Sequence, residues 1–229
     1  MNFEELLNYR RSVRRYSATP IDSEKVKQCL MQATLAPNSS NMQLWEFYHV
    51  TSPDKLKQLT AACLNQQAAA TAQQMVVFVT RQDLYRQRAA KMSELETLNV
   101  QQNSPKEKQE KRIKRWKLYY GIVMPFLYSR FLGVFGFFRK IMVIIIGLFR
   151  PITYQVSEND MRVVVHKTCA LAAQTFMLAM ANQGYDTCPL EGFDSTKVKR
   201  ILKLPLGAEI NMVIPCGISD AGGTWGNRM

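Results

Sequence analysis

The chain has 229 residues, long enough for one well-filled core with an elaboration rather than two full domains. Hydrophobic residues make up 47% and charged residues 21%, which excludes wholesale disorder. The net charge of +12 is uneven: residues 81–157 hold fifteen basic and five acidic side chains and supply +10 of it, so an anionic partner is expected to meet the chain there.

The opening residues, MNFEELLNYR, turn from acidic to basic without an apolar run ahead of a small-residue cleavage site, so no secretory signal is expected. RRSVRRY (10–16) then sets four arginines around Ser12. By itself this cluster reads most simply as cations at a helix C-terminus, meeting the negative end of the dipole. Its second reading is an anion clamp, because guanidinium groups grip a phosphate through paired hydrogen bonds and a serine hydroxyl adds another donor. Asp22 and Ser23 cap a helix over EKVKQCLMQATLA, with Val26, Leu30 and Ala33 on one face and Pro37 as its stop. APNSSNMQLWEF (36–47) follows, dense in neutral hydrogen-bonding side chains at Asn38, Ser39, Ser40, Asn41 and Gln43. That stretch is either an Asx/Ser-rich turn or a loop that meets a flat polar ligand bearing carbonyl and imide groups. WEFYHVTS (45–52) reads as a strand and QMVVFVTR (74–81) as a second, more fully buried one.

Residues 82–117 are polar and close on the basic run KEKQEKRIKRWK, whereas residues 118–149 are strongly apolar. We read 85–157 as an insertion into a single surrounding domain that spans 1–229. Beyond it, DMRVVVHKTCALAAQTFMLAMANQG (160–184) reads as a central buried helix closed by Gly184. STKVKRILKLP (195–205) is a short amphipathic helix, and EINMVIPCGIS (209–219) a last strand. Helices interleaved with a few strands, without a regular β-α-β rhythm, indicate an α+β fold. Met161, Met177 and Met180 read as core packing, and His166 as a satisfied core or interface histidine rather than a ligand. Five scattered cysteines without a C-x-x-C pair argue against a disulfide framework or zinc site and for a reducing, cytoplasmic compartment.

RRSVRRY, the P-x-S-S-N-x-Q-x-W-x-F pattern of residues 37–47, and CPLEGFD (188–194), in this order, resemble the FMN-dependent nitroreductase family. The resemblance frames residues 1–80 and 158–229 and leaves the insertion out. It implies a homodimeric α+β fold: a central, mostly antiparallel sheet flanked by helices, with a largely helical insertion and the flavin at the subunit interface. It further implies that Arg10, Arg11, Ser12 and Arg14 grip the FMN phosphate, while Arg15 falls outside the pattern and is solvated. Pro37, Asn38, Ser39 and Asn41 would reach the flavin from the second subunit, with Gln43 and Trp45 supporting the loop and Leu44 standing where the family usually has proline. Pro189, Leu190, Glu191 and Gly192 match the segment along the flavin's reactive edge, where a residue without Cβ lets the backbone approach a flat ring. Asn65 matches a flavin-facing asparagine. The lysine expected three residues on is Ala68, which predicts a lower flavin potential unless another cation substitutes. Arg228 matches a basic residue that reaches the phosphate from a glycine-rich tail.

The activity implied is FMN-dependent oxidation of NADH or NADPH coupled to reduction of a small electron-poor acceptor, a nitroaromatic or quinone, with no metal. No side chain in these motifs is an obvious general acid. The insertion has two readings. As a lid it covers the flavin pocket or packs in the dimer; this is the preferred one. Alternatively residues 118–150 lie on an anionic membrane surface, making the chain peripheral to the membrane and, at the limit, a flavin-binding interaction protein with little turnover. A simple transmembrane helix over 131–149 is disfavoured by Arg139 and Lys140 at its middle, each costing roughly 2.5–3.5 kcal/mol there. Nucleic-acid binding is not expected, since the basic run carries no recognisable module.

Overall fold

The computed structural model describes residues 1–224. Two compact units are formed: one from residues 1–37, 45–80 and 168 onward, the other from Asn38–Leu44 and Arg81–Lys167.

The first unit begins with α1 (Phe3–Tyr9), closed at its start by a capping box in which Asn2 and Glu5 satisfy each other's backbone N–H groups. α2 (Ser23–Ala33) is capped by Asp22, whose side chain accepts the Glu24 N–H, and buries Val26 and Ala33. β1 (Trp45–Val50) leads into α3 (Pro53–Ala62), the short α4 (Gln67–Ala70) and β2 (Gln74–Thr80). β2 pairs antiparallel with β1, placing Phe47 opposite Phe78.

The second unit carries α5 (Tyr85–Asn103), α6 (Lys106–Leu118), a π-helical turn over Tyr119–Val123, α7 (Met124–Tyr128) and α8 (Val134–Gly147). α9 (Glu158–Asn182) contributes its first ten residues to the second unit and the remainder to the first. The first unit is completed by β3 (Asp186–Thr187), α10 (Ser195–Ile201) and β4 (Glu209–Gly217). The sheet runs β1-β2-β4-β3 with every pair antiparallel.

Alternation along β2 explains its unbroken apolar sequence. Met75, Val77 and Val79 face a cluster with Leu59 of α3, Val198 of α10 and Val213 of β4. Val76 and Phe78 face the other way, onto Val26 and Ala33 of α2 and onto Cys169, Ala173, Phe176 and Met180 of α9. A strand covered on both faces has no polar side to show. Helix α9 is also, by length and composition, apolar enough to cross a membrane. Its buried stripe of Cys169, Ala172, Ala173, Phe176, Met177 and Met180 accounts for that composition.

The second unit packs around Met42, Leu44, Ala89, Met92, Tyr120, Met124, Tyr128, Met161 and Val165. The α+β class, the three longer strands and the central helix follow the sequence reading. α1, α3, α4 and β3 carry no such expectation: α1 and α4 are short, and two-residue β3 depends on the edge that β4 offers it. Across residues 131–149 no single helix forms: the chain breaks around Ser129–Gly133 and α8 is 14 residues long.

Candidate functional site

Arg10 is the C-cap of α1 but already extended, and the arginine segment continues as an extended strand-like run rather than as a helix end. Val13 N–H donates to the Thr187 carbonyl at 3.0 Å, and isolated bridges join Ser12 to Thr187 and Tyr16 to Ser219. Val13 and Tyr16 are buried. Around Val13 the extended side chains alternate, so Ser12 and Arg14 on either side of it are exposed. The Tyr16 hydroxyl donates to the Pro215 carbonyl at 3.0 Å. Its ring lies so close to Gly217 that a Cβ there would sit 2.7–2.8 Å from it, which is why β4 ends in glycine.

The segment after β3 runs antiparallel to β4, with Leu190 and Val213 exchanging both backbone hydrogen bonds at 2.8 and 3.0 Å. Leu190 is buried and Pro189 half-buried, whereas Glu191 and Gly192 emerge exposed. Opposite them is the turn between α3 and α4, where Leu64 and Asn65 both take left-handed backbone, with φ of 60° and 53°. Asparagine tolerates that region; a leucine there is strained. The turn is tied to the neighbouring segment twice. Gln66 Nε2 donates to the Gly192 carbonyl at 2.6 Å, and Asp194 N–H to the Ala62 carbonyl at 2.8 Å. Arg14, Gln66, Gln67 and Ala68 together line a cavity of about 180 Å³. The Cys188 thiol registers the same neighbourhood: burial raises its pKa, and the Arg14 charge draws it partly back. Two segments far apart in sequence therefore line one hollow with a guanidinium, two amides and a small residue, and the Gly192 segment is tied to one of those amides.

In the second unit, Ser39–Asn41 forms a single 3₁₀ turn. Asn38 Oδ1 accepts the Gln43 N–H at 2.8 Å, and Gln43 Nε2 donates to Asn41 Oδ1 at 3.1 Å. Ser40, Asn41 and Gln43 all have positive φ, between 47° and 52°. The loop is held in this shape from below. Met42 and Leu44 are buried in the second core, and the Tyr120 hydroxyl donates to the Ser40 carbonyl at 2.9 Å. Strained backbone of this kind persists where surrounding packing over-determines it, commonly at ligand sites.

The sequence profile of the Nitroreductase family matches residues 7–218. The chain belongs to the nitroreductase family. Among relatives, MhqN of Bacillus subtilis, named provisionally as an NAD(P)H nitroreductase, is 26% identical over 216 residues, covering 94% of this chain and 87% of MhqN. A nitroreductase family protein of Streptococcus pneumoniae has the same fold at a TM-score of 0.71 and 22% identity, with 100% of this chain and 96% of that one covered. A structure from Exiguobacterium sibiricum, described as a nitroreductase in complex with FMN, superposes with a TM-score of 0.67 at 20% identity, over 100% and 93% of the two chains.

Several positions of this family member take a role that its sequence alone does not reveal. Leu44, in place of the family's proline, is a core residue whose carbonyl accepts the Arg81 N–H at 2.9 Å. Arg15, expected to be solvated, is ion-paired to Asp220 at 3.0 Å and donates to the Ala221 carbonyl. Met161, Met177 and Met180 are core residues, and His166 is half-buried on α9. Gln66 and Gln67 gain importance from the cavity they line, and no motif marked them beforehand. Arg228 lies outside the described residues, as does Trp225 before it. Pro37 lies in the first unit, whereas Asn38, Ser39 and Asn41 belong to the second.

Proposed function

We propose that the chain is an FMN-dependent NAD(P)H oxidoreductase that reduces electron-poor acceptors, nitroaromatics or quinones, as a homodimer. The observation that carries this reading is the hollow in the first unit, where Arg14 meets Gln66, Gln67 and Ala68. Its donor set suits FMN: a guanidinium for a phosphate, amides for an imide edge, and a small residue that leaves room for a flat ring. The FMN-bound relative from Exiguobacterium and the naming of MhqN support the same cofactor and reductant.

In this reading Arg10, Arg11, Ser12 and Arg14 hold the phosphate end, with Arg228 adding to them. Pro189, Leu190, Glu191 and Gly192 lay backbone along the reactive edge, and Gln66 fixes that backbone through its bond to the Gly192 carbonyl. Asn65 faces the ring from the strained turn. Pro37, Asn38, Ser39 and Asn41 complete the site from the second subunit. Bound FMN supplies hydride acceptance from NADH or NADPH and hydride return to the acceptor, in alternating half-reactions. The chain's own work is binding, orientation and exclusion of competing reactions, with water as the source of protons. The insertion, 85–157, acts as the lid over the acceptor.

The test is the visible spectrum of the purified protein, followed by anaerobic addition of NADH or NADPH. Flavin bands near ~450 nm that bleach with nicotinamide are expected. Colourless protein that FMN cannot reconstitute would overturn the reading. A second reading, of a membrane-surface protein with little turnover, is favoured by one observation: α8 leaves Phe135, Phe137, Phe138, Ile141, Ile144 and Ile145 exposed. It requires cosedimentation with anionic liposomes that is lost on deleting 118–150, and fast nicotinamide oxidation without lipid counts against it.

A further inference from the structure

A second cavity, of about 550 Å³, lies wholly within the helical second unit. Its walls are mainly Val123, Phe126, Leu127, Val143, Met161 and Val164, a half-open apolar cavity of the size that accepts a small organic molecule. Among so many hydrocarbon groups one charged residue lines it, Arg139 of α8, and its side chain is fully buried.

The Arg139 guanidinium is held on two of its three nitrogens. Nε donates to the Val156 carbonyl at 2.6 Å. Nη1 donates to the Phe126 and Ser129 carbonyls at 2.8 and 3.0 Å and to Ser129 Oγ at 3.1 Å. Nη2 has no partner. The nearest opposite charge, Glu158, is committed elsewhere: its carboxylate accepts the N–H groups of Phe131, Gly133 and Gly136. Gly136 is what permits that closeness, because a Cβ there would fall 2.6 Å from the Glu158 nitrogen. Burial lowers the Arg139 pKa, and the Glu158 charge offsets part of the effect. A buried guanidinium with an unused pair of donors is costly in a folded chain, and a fixed one beside an apolar cavity is an arrangement that a ligand oxygen would complete.

We infer that this cavity binds a molecule with an apolar body and an oxygen-acceptor head, a carboxylate or a quinone carbonyl, with the head turned to the Arg139 guanidinium and the body against the hydrocarbon walls. Ser39 of the strained loop lines the same cavity, so the ligand would also touch the loop assigned above to the flavin. Calling that ligand the acceptor substrate rests on the oxidoreductase reading; the binding site itself does not.

Displacement of a fluorescent fatty-acid probe from the full chain tests it, with dodecanoate, a decyl-substituted benzoquinone and dodecyltrimethylammonium as competitors. Dodecanoate or the quinone should displace the probe and the cationic amphiphile should not; which of the two binds tighter identifies the head. Met142→Trp, at the half-exposed edge of the cavity, should weaken binding roughly tenfold by filling space. Arg139→Met should remove the preference for an oxygen head, again roughly tenfold, while an apolar ligand without a head still binds. Helical circular dichroism on both variants guards against misfolding. Equal displacement by the cationic amphiphile, or unchanged binding in well-folded Met142→Trp, would overturn the inference. No turnover is measured, so its failure leaves the flavin reading standing, and colourless protein that binds dodecanoate leaves this one standing.

Discussion

Replacing Arg14 by glutamine tests the phosphate clamp at the residue that the structure places best. Arg14 lines the hollow with Gln66, Gln67 and Ala68 and is close enough to Cys188 to offset part of the rise that burial gives its pKa. A hydrogen bond to a charged group contributes about 1.5–3 kcal/mol, but Arg14 is solvent-exposed and a phosphate beside it keeps part of its hydration. The lower part of that range, about 1.5–2 kcal/mol, corresponds to FMN binding weakened roughly 10- to 30-fold. The assay is a titration of flavin-stripped protein with FMN, followed by quenching of flavin fluorescence at two ionic strengths. The deficit should shrink at high salt, because exposed charges are screened. Arg15→Gln is the internal control. It has the same charge change one residue away, but its guanidinium is committed to Asp220 on the surface, a pair worth at most about 1 kcal/mol. FMN affinity should therefore change by less than about twofold in Arg15→Gln. Equal losses in the two variants would mean that only the general positive potential matters, and an unchanged Arg14→Gln would refute the clamp outright.

Phe176→Ala removes a fully buried ring that packs on Phe78 at 5.5 Å between centroids; urea unfolding should show a loss of about 3–5 kcal/mol. Asp186 is buried, and burial raises its pKa although the Ser219 N–H partly offsets this. Its folded pKa lies above the unfolded value, so its contribution is complete below about pH 4 and is lost as pH rises through the folded pKa. Asp186→Asn should accordingly raise Tm more at pH 7 than at pH 4, and the reverse order would contradict the sign. All five cysteines are buried, with Cys29 and Cys63 pushed up to about 11 and Cys169 to about 12. A thiol-specific chromogenic reagent at pH 7.5 should react slowly with the native protein and with all five thiols after denaturation.

Periodicity and composition were sufficient for the elements that carry the sheet. β2 is apolar at every other position on both faces, which only a doubly covered strand requires, and the length of α9 with its apolar stripe marks a central helix. Of the residues that line the hollow, the ordered motifs contain only Arg14; Gln66 and Gln67 carry no pattern of their own. Short elements escaped. α4 and β3 are four and two residues long, and their hydrogen bonds come from neighbours rather than from any pattern of their own.

What the sequence determined by itself is local: which stretches alternate, where helices are capped, and which residue types stand together in a motif. Tertiary structure alone decided which of those stretches meet. Nothing in the neighbourhood of Gln66 announces that its amide will hold the Gly192 carbonyl, 126 positions away. Likewise Arg139 and Lys140 are adjacent and equally charged in the sequence, and seemed equally unsuited to an apolar run. One turned inward to full burial on backbone carbonyls, while the other reached the Tyr154 carbonyl and Asp160 near the surface. Neighbours on a helix point in different directions, so the fate of a charge depends on which oxygens the rest of the fold brings to its side.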